Sequence, residues 1–257
     1  MAPLLKIEQL SVKFDGVTAV DGVDLAIEHK EIRGLIGPNG AGKTTLFNAI
    51  SGLAVPSGGR IVFSDLEVTM LPAHTRATLG IRRTFQAVQL VQNFTVYENL
   101  LIGLHAQIPY NIARLIFGFP RHRTVDADIA MRASEVLCYL EIEDMAEREV
   151  GSLAIGEQRV VEIAQALVSR PKLIMLDEPA AGLTPLEVVK LETLLVNLGR
   201  DWGATVLLVE HDVSLVLKVC GRITVLDRGK VIAEGSASEV VENNAVRAAY
   251  LGEVVDA

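Results

Sequence analysis

No apolar run in this sequence is long enough to cross a lipid bilayer. Each run meets a charge, a proline or a glycine well before the roughly 20 residues that a membrane-spanning helix needs. Leu173–Leu176, for example, is followed at once by Asp177 and Glu178. The stretch Met1–Lys13 alternates apolar and polar residues and does not have the basic flank and apolar core of a signal peptide. We therefore expect the chain to stay in the cytoplasm, although its mean hydropathy is high at +0.35.

Cysteines and positive charge are also scarce. The two cysteines, Cys138 and Cys220, lie far apart without metal-ligand spacing, so we expect both to be reduced and buried. The formal net charge of −8 does not favour nucleic acid as the main partner, because duplex binding depends on lysine and arginine side chains that neutralise phosphates. Hydrophobic residues make up 50% of the chain, which excludes a largely disordered protein.

Alternating strand and helix patterns predict an α/β fold with a mostly parallel sheet. Leu4–Glu31 alternates apolar and polar residues around two Asp-Gly turns, which is typical of antiparallel strands. Between residues 95 and 150 the apolar spacing becomes helical, and we interpret this part as a helical subdomain inserted into a single domain that spans residues 1–257. Further strands are predicted at Ile32–Ile36, Gly59–Phe63, Lys172–Asp177 and Thr205–Glu210. Helices are predicted at about Lys43–Ser51, at Glu157–Ser169 and from Pro185. The last helix is predicted to begin with a capping box of Thr184 and Glu187 and to stop at Gly199.

The strongest motif is a complete phosphate-binding loop, Gly37-Pro38-Asn39-Gly40-Ala41-Gly42-Lys43-Thr44, between a predicted strand and a predicted helix. Its glycines allow the backbone to approach phosphates closely, and successive N–H groups at a helix N-terminus attract anions. Lys43 places a positive charge between the β- and γ-phosphates of a nucleotide. Thr44 offers a hydroxyl to Mg²⁺, and Thr45 can reach the α-phosphate.

Two adjacent carboxylates end the apolar strand at Leu173. Neighbouring residues of a strand point to opposite sides, so Asp177 can hold Mg²⁺ through water while Glu178 polarises an attacking water. His211 follows another predicted strand, at the end of the sheet where ligands bind, and can contact a γ-phosphate. Taken alone, His211 is equally well explained as a surface histidine, and Gln86 as a loop residue without a task.

In their order and spacing these motifs resemble the ABC ATPase family from Phe14 to Gly252. The resemblance rests on an aromatic residue before the first turn, the phosphate loop, a Gln loop, a signature segment, the acidic strand end, a D-loop and a switch histidine, with the loops at Thr84-Phe85-Gln86, Leu153-Ala154-Ile155-Gly156-Glu157, Ala180-Ala181-Gly182-Leu183 and Glu210-His211-Asp212. It implies an ABC ATPase core with an N-terminal antiparallel β subdomain. It also implies that the cofactors are ATP and Mg²⁺.

The resemblance also assigns roles to single residues. It implies that Phe14 stacks on adenine, with a core aromatic on a strand face as the alternative reading. Glu178, His211 and Gln86 become catalytic residues. The resemblance implies that the metal ligands are Thr44, Gln86 and Asp177.

The signature segment departs from the family pattern Leu-Ser-Gly-Gly-Gln. The serine hydroxyl of that pattern helps to bind the γ-phosphate of the nucleotide held by the partner subunit, and Ala154 has no such group. Loss of one hydrogen bond to a charged group costs about 1.5–3 kcal/mol. Gly156 and the helix N-terminus that follows still attract anions. We therefore expect an active protein with a weakened signature face; the alternative is a nucleotide-binding scaffold without turnover.

Four segments resemble one branch of the family, the ATPases of branched-chain amino-acid importers. They are Gly80–Gln86, the long insert Ile108–Thr124, Glu178–Leu183 and Ala249–Gly252. The insert resembles the longer-insert member of the two ATPases that such importers carry. The branch implies ATP hydrolysis that powers uptake of branched-chain amino acids or a related small polar solute. Urea or amide importers, lipid or lipopolysaccharide exporters and, further off, non-transport ABC ATPases remain as alternatives.

The same resemblance implies an assembly. The expected partners are a second ABC ATPase, in a heterodimer or else a homodimer, two transmembrane permease subunits and, indirectly, an extracytoplasmic solute-binding protein. Nucleic acid is not among them. The expected location is peripheral, on the cytoplasmic face of the inner membrane.

Overall fold

The computed structural model describes residues 2–84, 89–104 and 123–252, with side chains omitted for 123–126, 251 and 252. Within these residues ten strands form two sheets. The strands are β1 Leu5–Phe14, β2 Val17–Ile27, β3 Ile32–Ile36, β4 Gly58–Phe63, β5 Leu66–Glu67, β6 Ile81–Arg83, β7 Leu173–Asp177, β8 Thr205–Val209, β9 Arg222–Asp227 and β10 Lys230–Gly235. The α-helices are Lys43–Ser51, Ala73–Leu79, Val96–Gly103, Arg123–Tyr139, Ile155–Leu167, Pro185–Asn197, Val213–Val219, Ala237–Glu242 and Asn244–Gly252.

The smaller sheet is antiparallel, in the order β2-β1-β4-β5, as the alternating pattern near the N-terminus predicts. The larger sheet has the order β10-β9-β3-β8-β7-β6. Its strands from β9 to β6 are parallel, and β10 is antiparallel at the edge. The predicted fold class is therefore confirmed.

The helix Lys43–Ser51 joins the two sheets through one core. Its buried Leu46 and Phe47 belong to the same apolar cluster as Leu5 and Ile7 of β1 and Leu207 of β8. The opposite face of the larger sheet packs on most of the other helices through a second cluster, whereas Leu79 of the helix Ala73–Leu79 packs against the first. Successive residues of β7 alternate between these two clusters, as the period of a strand requires. The phosphate-loop helix is thereby fixed between two rigid layers.

The order of the larger sheet gathers the predicted motifs at one edge. The phosphate loop follows β3, Asp177 is the last residue of β7, and His211 lies just after β8. Because β3, β8 and β7 are consecutive parallel neighbours, their carboxyl ends meet there. This edge is where ligands bind in open α/β sheets.

One predicted helix end is wrong. The helix Pro185–Asn197 begins as predicted, with the Thr184 hydroxyl accepting the Glu187 N–H and the Glu187 carboxylate accepting the Thr184 N–H. The chain does not stop at Gly199, because a π-helical turn continues over Leu198–Trp202 and ends at Gly203, which has a left-handed φ of 70°. A Cβ on Gly199 would lie 3.1 Å from the Ile32 side chain, so this glycine serves close packing and not helix termination.

The cysteine prediction is half right. Both thiols are free, but only Cys220 is buried, whereas Cys138 is exposed. Cys138 lies on the outer face of the helix Arg123–Tyr139, whose buried Ala133 and Val136 face the core.

Several helices lie in the part of the chain for which a helical subdomain is predicted. They include Val96–Gly103, Arg123–Tyr139 and the 3₁₀ turns Glu143–Met145 and Val150–Ser152. Most of the insert Ile108–Thr124 lies outside the described residues, so the subdomain boundaries stay a prediction. In the described part of the chain no helix is long and apolar enough to cross a membrane.

Candidate nucleotide-binding and catalytic site

The phosphate loop has a backbone that glycine makes accessible. Gly40 and Gly42 have left-handed φ values of 75° and 99°. A Cβ on Gly42 would lie 2.4 Å from the carbonyl oxygen of Ala19, and one on Gly37 would lie 2.1 Å from that of Leu226. Both positions therefore require glycine, and the loop closes into the N-terminus of the helix Lys43–Ser51. A cleft beside the loop is lined by Ala19, Asn39, Gly40, Ala41, Gly42, Lys43, Thr44, Thr45 and His211.

Lys43 is poised across this loop. Its side chain is buried, with 6% exposure, and its Nζ donates to the carbonyl oxygens of Gly37 at 2.5 Å and Pro38 at 3.0 Å. These two carbonyls hold the ammonium over the cleft that the loop lines. Thr44, the next residue, is exposed towards solvent, and Thr45 is half-buried. The loop therefore presents backbone N–H groups, an ammonium and two hydroxyls to a single cleft, which is the chemistry that binds a polyphosphate.

Asp177 is held by an arginine that the motif analysis gave no role. The Arg83 Nη2 lies 3.3 Å from Asp177 Oδ2, while its Nη1 donates to Asn48 Oδ1 at 2.7 Å and Ser51 Oγ at 3.0 Å. The guanidinium also lies 4.9 Å from the centre of the Phe47 ring. Burial raises the pKa of the Asp177 carboxyl, and the Arg83 charge opposes that rise. Arg83 thus ties the phosphate-loop helix to the acidic end of β7.

Glu178 adopts an unusual backbone conformation. Its φ is 50°, in the left-handed region that residues other than glycine rarely occupy, and such outliers concentrate at functional sites. The turn directs its carboxylate to His211, whose Nε2 lies 2.8 Å from Glu178 Oε1. The histidine side chain is half exposed and also lines the phosphate-loop cleft. A carboxylate and an imidazole therefore meet at the phosphate-loop cleft.

A third carboxylate, that of Glu210, lies directly behind this pair. It is 3% exposed, and its Oε1 accepts the Ala180 N–H at 2.8 Å while its Oε2 accepts the His211 N–H at 3.2 Å. Burial raises the pKa of Glu210, and the backbone hydrogen bonds from Ala180, His211 and Asp212 lower it in part. From the sequence, Glu210 stood out only as the neighbour of the switch histidine. The one sequence signal for it is an acidic residue directly after an apolar strand.

Two known protein families match the sequence of this chain. The family profile described as ABC transporter matches residues 20–181. A second profile, described as Branched-chain amino acid ATP-binding cassette transporter, matches residues 230–256. The chain belongs to the ABC transporter family.

Curated ABC relatives match the chain over nearly its whole length. The high-affinity branched-chain amino acid transport ATP-binding proteins BraF of Pseudomonas aeruginosa and LivG of Escherichia coli are each 40% identical over 251 residues, covering 98% of both chains. The lipopolysaccharide export system ATP-binding protein LptB of Escherichia coli is 36% identical over 249 residues, covering 97% of both. The importer subunits are thus more similar to this chain than this exporter subunit is.

Solved ABC cassettes share the fold. The crystal structure of the ADP conformation of an ATP-binding cassette superposes with a TM-score of 0.85 at 31% identity, covering 98% of this chain and 100% of that one. A dimeric cassette in a post-hydrolysis state, bound to ADP and Pi, gives a TM-score of 0.75 at 26% identity, covering 91% of this chain and 98% of that one.

The signature segment of this ABC protein lies apart from its own phosphate loop. Ala154 is the N-cap of the helix Ile155–Leu167, and Glu157 Oε2 accepts its backbone N–H at 2.8 Å. A Cβ on Gly156 would lie 2.1 Å from Glu187 Oε1, so the segment packs against the helix that follows the D-loop. Among the described residues, the cleft lining includes none from 153–157.

Of the two other predicted site residues, Phe14 is described by the structure and Gln86 is not. Phe14, at the end of β1, has 51% of its surface exposed, so it is not a core residue and its ring is free to meet a flat ligand. Gln86 lies outside the described residues, and its catalytic and metal-binding roles stay predictions. Thr84, the first residue of the predicted Gln loop, is described, and its hydroxyl accepts the Asp177 N–H at 3.3 Å.

Proposed function

We propose that this chain hydrolyses ATP to power the uptake of branched-chain amino acids or a related small polar solute. The observation that carries the proposal is the convergence of Lys43, Asp177, Glu178 and His211 at one edge of the parallel sheet. The solute class rests on the 40% identity to importer subunits and on the match of residues 230–256 to the branched-chain profile. Lipopolysaccharide export is the second candidate, supported by 36% identity to LptB.

In this proposal the nucleotide lies between Phe14 and the phosphate loop. The exposed Phe14 ring stacks on adenine, and the loop N–H groups with Lys43 neutralise the β- and γ-phosphates. Thr45 contacts the α-phosphate. Since the Lys43 ammonium already donates to two loop carbonyls, it stands in position before the phosphates arrive.

The residues present suit Mg²⁺. This ion prefers hard oxygen ligands and usually takes only one or two from protein side chains, with phosphates and waters completing its shell. Thr44 supplies a hydroxyl and Asp177 a carboxylate, and the described residues hold no cluster of three or more acidic, His or Cys side chains that would form an all-protein cage. When bound, Mg²⁺ neutralises charge that develops on the phosphates. Gln86 is the third proposed ligand.

In this proposal Glu178 and His211 catalyse the hydrolysis of ATP. The Glu178 carboxylate accepts a proton from, or polarises, the water that attacks the γ-phosphorus, while the bond from that phosphorus to the β–γ bridging oxygen breaks and ADP leaves. The imidazole of His211 donates to Glu178 and lines the cleft, so it can hold the carboxylate towards that water and also contact a γ-phosphate oxygen. Gln86 completes the proposed catalytic set.

We further propose that the site is completed by a second ATPase subunit. The signature segment 153–157 does not line the chain's own cleft, so in a head-to-tail pair it is available to close over the partner's nucleotide. A related cassette is a dimer bound to ADP and Pi, which supports this arrangement. The partner is a second, different ATPase or another copy of this chain. Two permeases and, indirectly, a solute-binding protein complete the transporter at the cytoplasmic face of the inner membrane.

A trapped dimer tests this proposal. Glu178→Gln removes the carboxylate that acts on water but keeps the binding groups, so ATP should hold the subunits together. We expect size-exclusion chromatography of the purified variant, with the partner ATPase where one co-purifies, to give a dimer in ATP and a monomer in ADP. The matched control is Glu178→Gln combined with Lys43→Ala, which should stay monomeric in both. A monomer in ATP for the single variant would contradict the two-subunit site.

Identification of co-purifying proteins tests the solute class. The tagged chain is extracted from native membranes in mild detergent, and its partners are identified by mass spectrometry. Two permeases and a second ATPase would support the importer, and the associated binding protein would narrow the solute. Subunits of a lipid or lipopolysaccharide exporter would instead favour the second candidate.

A further inference from the structure

The left-handed turn at Glu178 needs an anchor. A residue other than glycine in this region costs about 1–3 kcal/mol and persists only where its surroundings fix it. Three hydrogen bonds lie at the strained turn. The Glu178 N–H donates to the Val209 carbonyl at 2.8 Å, the Ala181 N–H donates to the Glu178 carbonyl at 3.1 Å, and the Ala180 N–H donates to Glu210 Oε1 at 2.8 Å. Of these three, only the bond to Glu210 depends on a side chain.

The same carboxylate also holds the histidine side of the pair. Glu210 Oε2 accepts the backbone N–H of His211, whose ring meets Glu178 at 2.8 Å. An ionised carboxylate is an acceptor at both oxygens, which suits a buried position whose neighbours are N–H donors. One 3% exposed side chain therefore restrains both partners of the Glu178–His211 contact.

We propose that Glu210 is a positioning residue that sets, through Ala180 and His211, the geometry in which Glu178 meets His211. This inference rests on the proposed function, because it assigns a task to the pair that is proposed to act on water. Glu210 does not touch the nucleotide cleft, whose described lining comes from the phosphate loop, Ala19 and His211. Its loss should therefore slow hydrolysis without weakening nucleotide binding.

The variant Glu210→Gln isolates this role. A carboxamide has one acceptor oxygen and one NH₂ donor, so in either orientation it loses the bond from Ala180 or the bond from His211 while keeping the shape of glutamate. Glu210→Asp keeps the charge but withdraws both oxygens by one methylene, and it should give the same defect. The control is Glu239→Gln, which removes another carboxylate that accepts a backbone N–H, that of Ser236, on a helix outside the cleft.

The experiment separates binding from turnover. The dissociation constant of a fluorescent ATP analogue is measured with Mg²⁺, and hydrolysis is followed in single turnover with protein in excess, for wild type, Glu210→Gln, Glu210→Asp, His211→Ala, Glu210→Gln/His211→Ala and Glu239→Gln. We expect both Glu210 variants to lose about tenfold or more in hydrolysis rate, because small misplacements of catalytic groups carry penalties of that order. Affinity should change by no more than about twofold.

Non-additivity is the decisive result. If Glu210 acts by setting the contact between Glu178 and His211, its loss has no further effect once that contact is gone, so the double variant should be no slower than His211→Ala alone. Independent effects that multiply, or wild-type rates in Glu210→Gln, would overturn the proposal. A rate loss that is shared by Glu239→Gln would also overturn it.

A crystal structure of the Glu210→Gln variant tests the positioning role independently of ATP hydrolysis. If the wild-type protein does not hydrolyse ATP, the proposed function fails, but the crystal structure of Glu210→Gln still decides the positioning role. Loss of the positive φ at Glu178, or of the 2.8 Å contact between Glu178 and His211, would support it. Retention of both would overturn it.

Discussion

Replacement of Arg76 by methionine should destabilise the protein severely. The Arg76 side chain is 1% exposed and lies between the end of the phosphate-loop helix and the segment that follows β5. Burial lowers its pKa to about 10. Its guanidinium donates to four backbone carbonyls, those of Ala49, Ile50, Thr69 and Leu71, at 2.6, 2.7, 2.8 and 2.9 Å. Two of these carbonyls are in the last turn of the helix Lys43–Ser51, so Arg76 acts as its C-terminal cap.

The expected loss follows from the acceptors left behind. All four carbonyls lose the Arg76 donor. Ala49 O keeps the Gly52 N–H at 3.3 Å, so the other three are the acceptors that we expect to be left unsatisfied. An unsatisfied buried acceptor costs about 1–3 kcal/mol, and water that enters the space left by the guanidinium offsets part of this. We therefore expect Arg76→Met to lower the free energy of unfolding by about 3–5 kcal/mol.

Urea unfolding measures this loss. The only tryptophan, Trp202, packs 4.8 Å from the Tyr139 ring, and its fluorescence reports unfolding. The control is Arg60→Met, because Arg60 is 58% exposed and its ion pair with Glu8 is on the surface. Exposed ion pairs contribute little to stability, so the control midpoint should stay near that of wild type. A change below about 1 kcal/mol in Arg76→Met would refute the reasoning, since it would mean that the carbonyls find other donors.

Four further predictions concern the Cys138 thiol, the signature segment (two predictions) and the arginine pair. The hydrogen bond and charge of Glu143 raise the pKa of the exposed Cys138 thiol, so Glu143→Gln should accelerate its alkylation at pH 8; an unchanged rate would contradict this. Ala154→Ser adds an N-cap acceptor and should stabilise the protein by about 0.5–2 kcal/mol in thermal unfolding. The same change should raise the ATPase rate of the assembled transporter, and an unchanged rate would contradict the hypothesis of a weakened signature face. Arg83→Met should slow ATP hydrolysis about tenfold, because it releases Asp177. The control is Arg82→Met, since the Arg82 side chain donates to Ser169 and Gly103 and not to Asp177. Equal hydrolysis rates in the two variants would contradict a role of Arg83 in positioning Asp177.

Local patterns predicted much of the fold. The helix Lys43–Ser51 and the strand Ile32–Ile36 have the predicted bounds, because a glycine loop and a run of apolar residues specify them within a few positions. The capping box of Thr184 and Glu187 was predictable for the same reason. Gly199 misled because a glycine that permits close packing and a glycine that ends a helix have the same sequence signature.

Non-local contacts set the limit of the site prediction. The proposed roles of Lys43 and Asp177 follow from motifs with fixed spacing, whereas those proposed for Arg83 and Glu210 depend on which backbone and side-chain groups the fold brings near them. Arg83 read as half of a basic pair, and only its contacts with Asn48, Ser51 and Asp177 distinguish it from Arg82. A single sequence does not contain that information.

The position of β3 between β8 and β9 has a consequence for the growing polypeptide. Its neighbours are encoded far downstream: the Lys30 N–H donates to Thr205 Oγ1, 175 residues away. At translation rates of about 5–20 residues/s, about 10–35 s pass between synthesis of this strand and synthesis of its first partner. During that interval the strand cannot pair in the sheet, and its apolar side chains are open to chaperones on the ribosome. The phosphate loop is therefore encoded early but completed only when the last third of the chain has emerged.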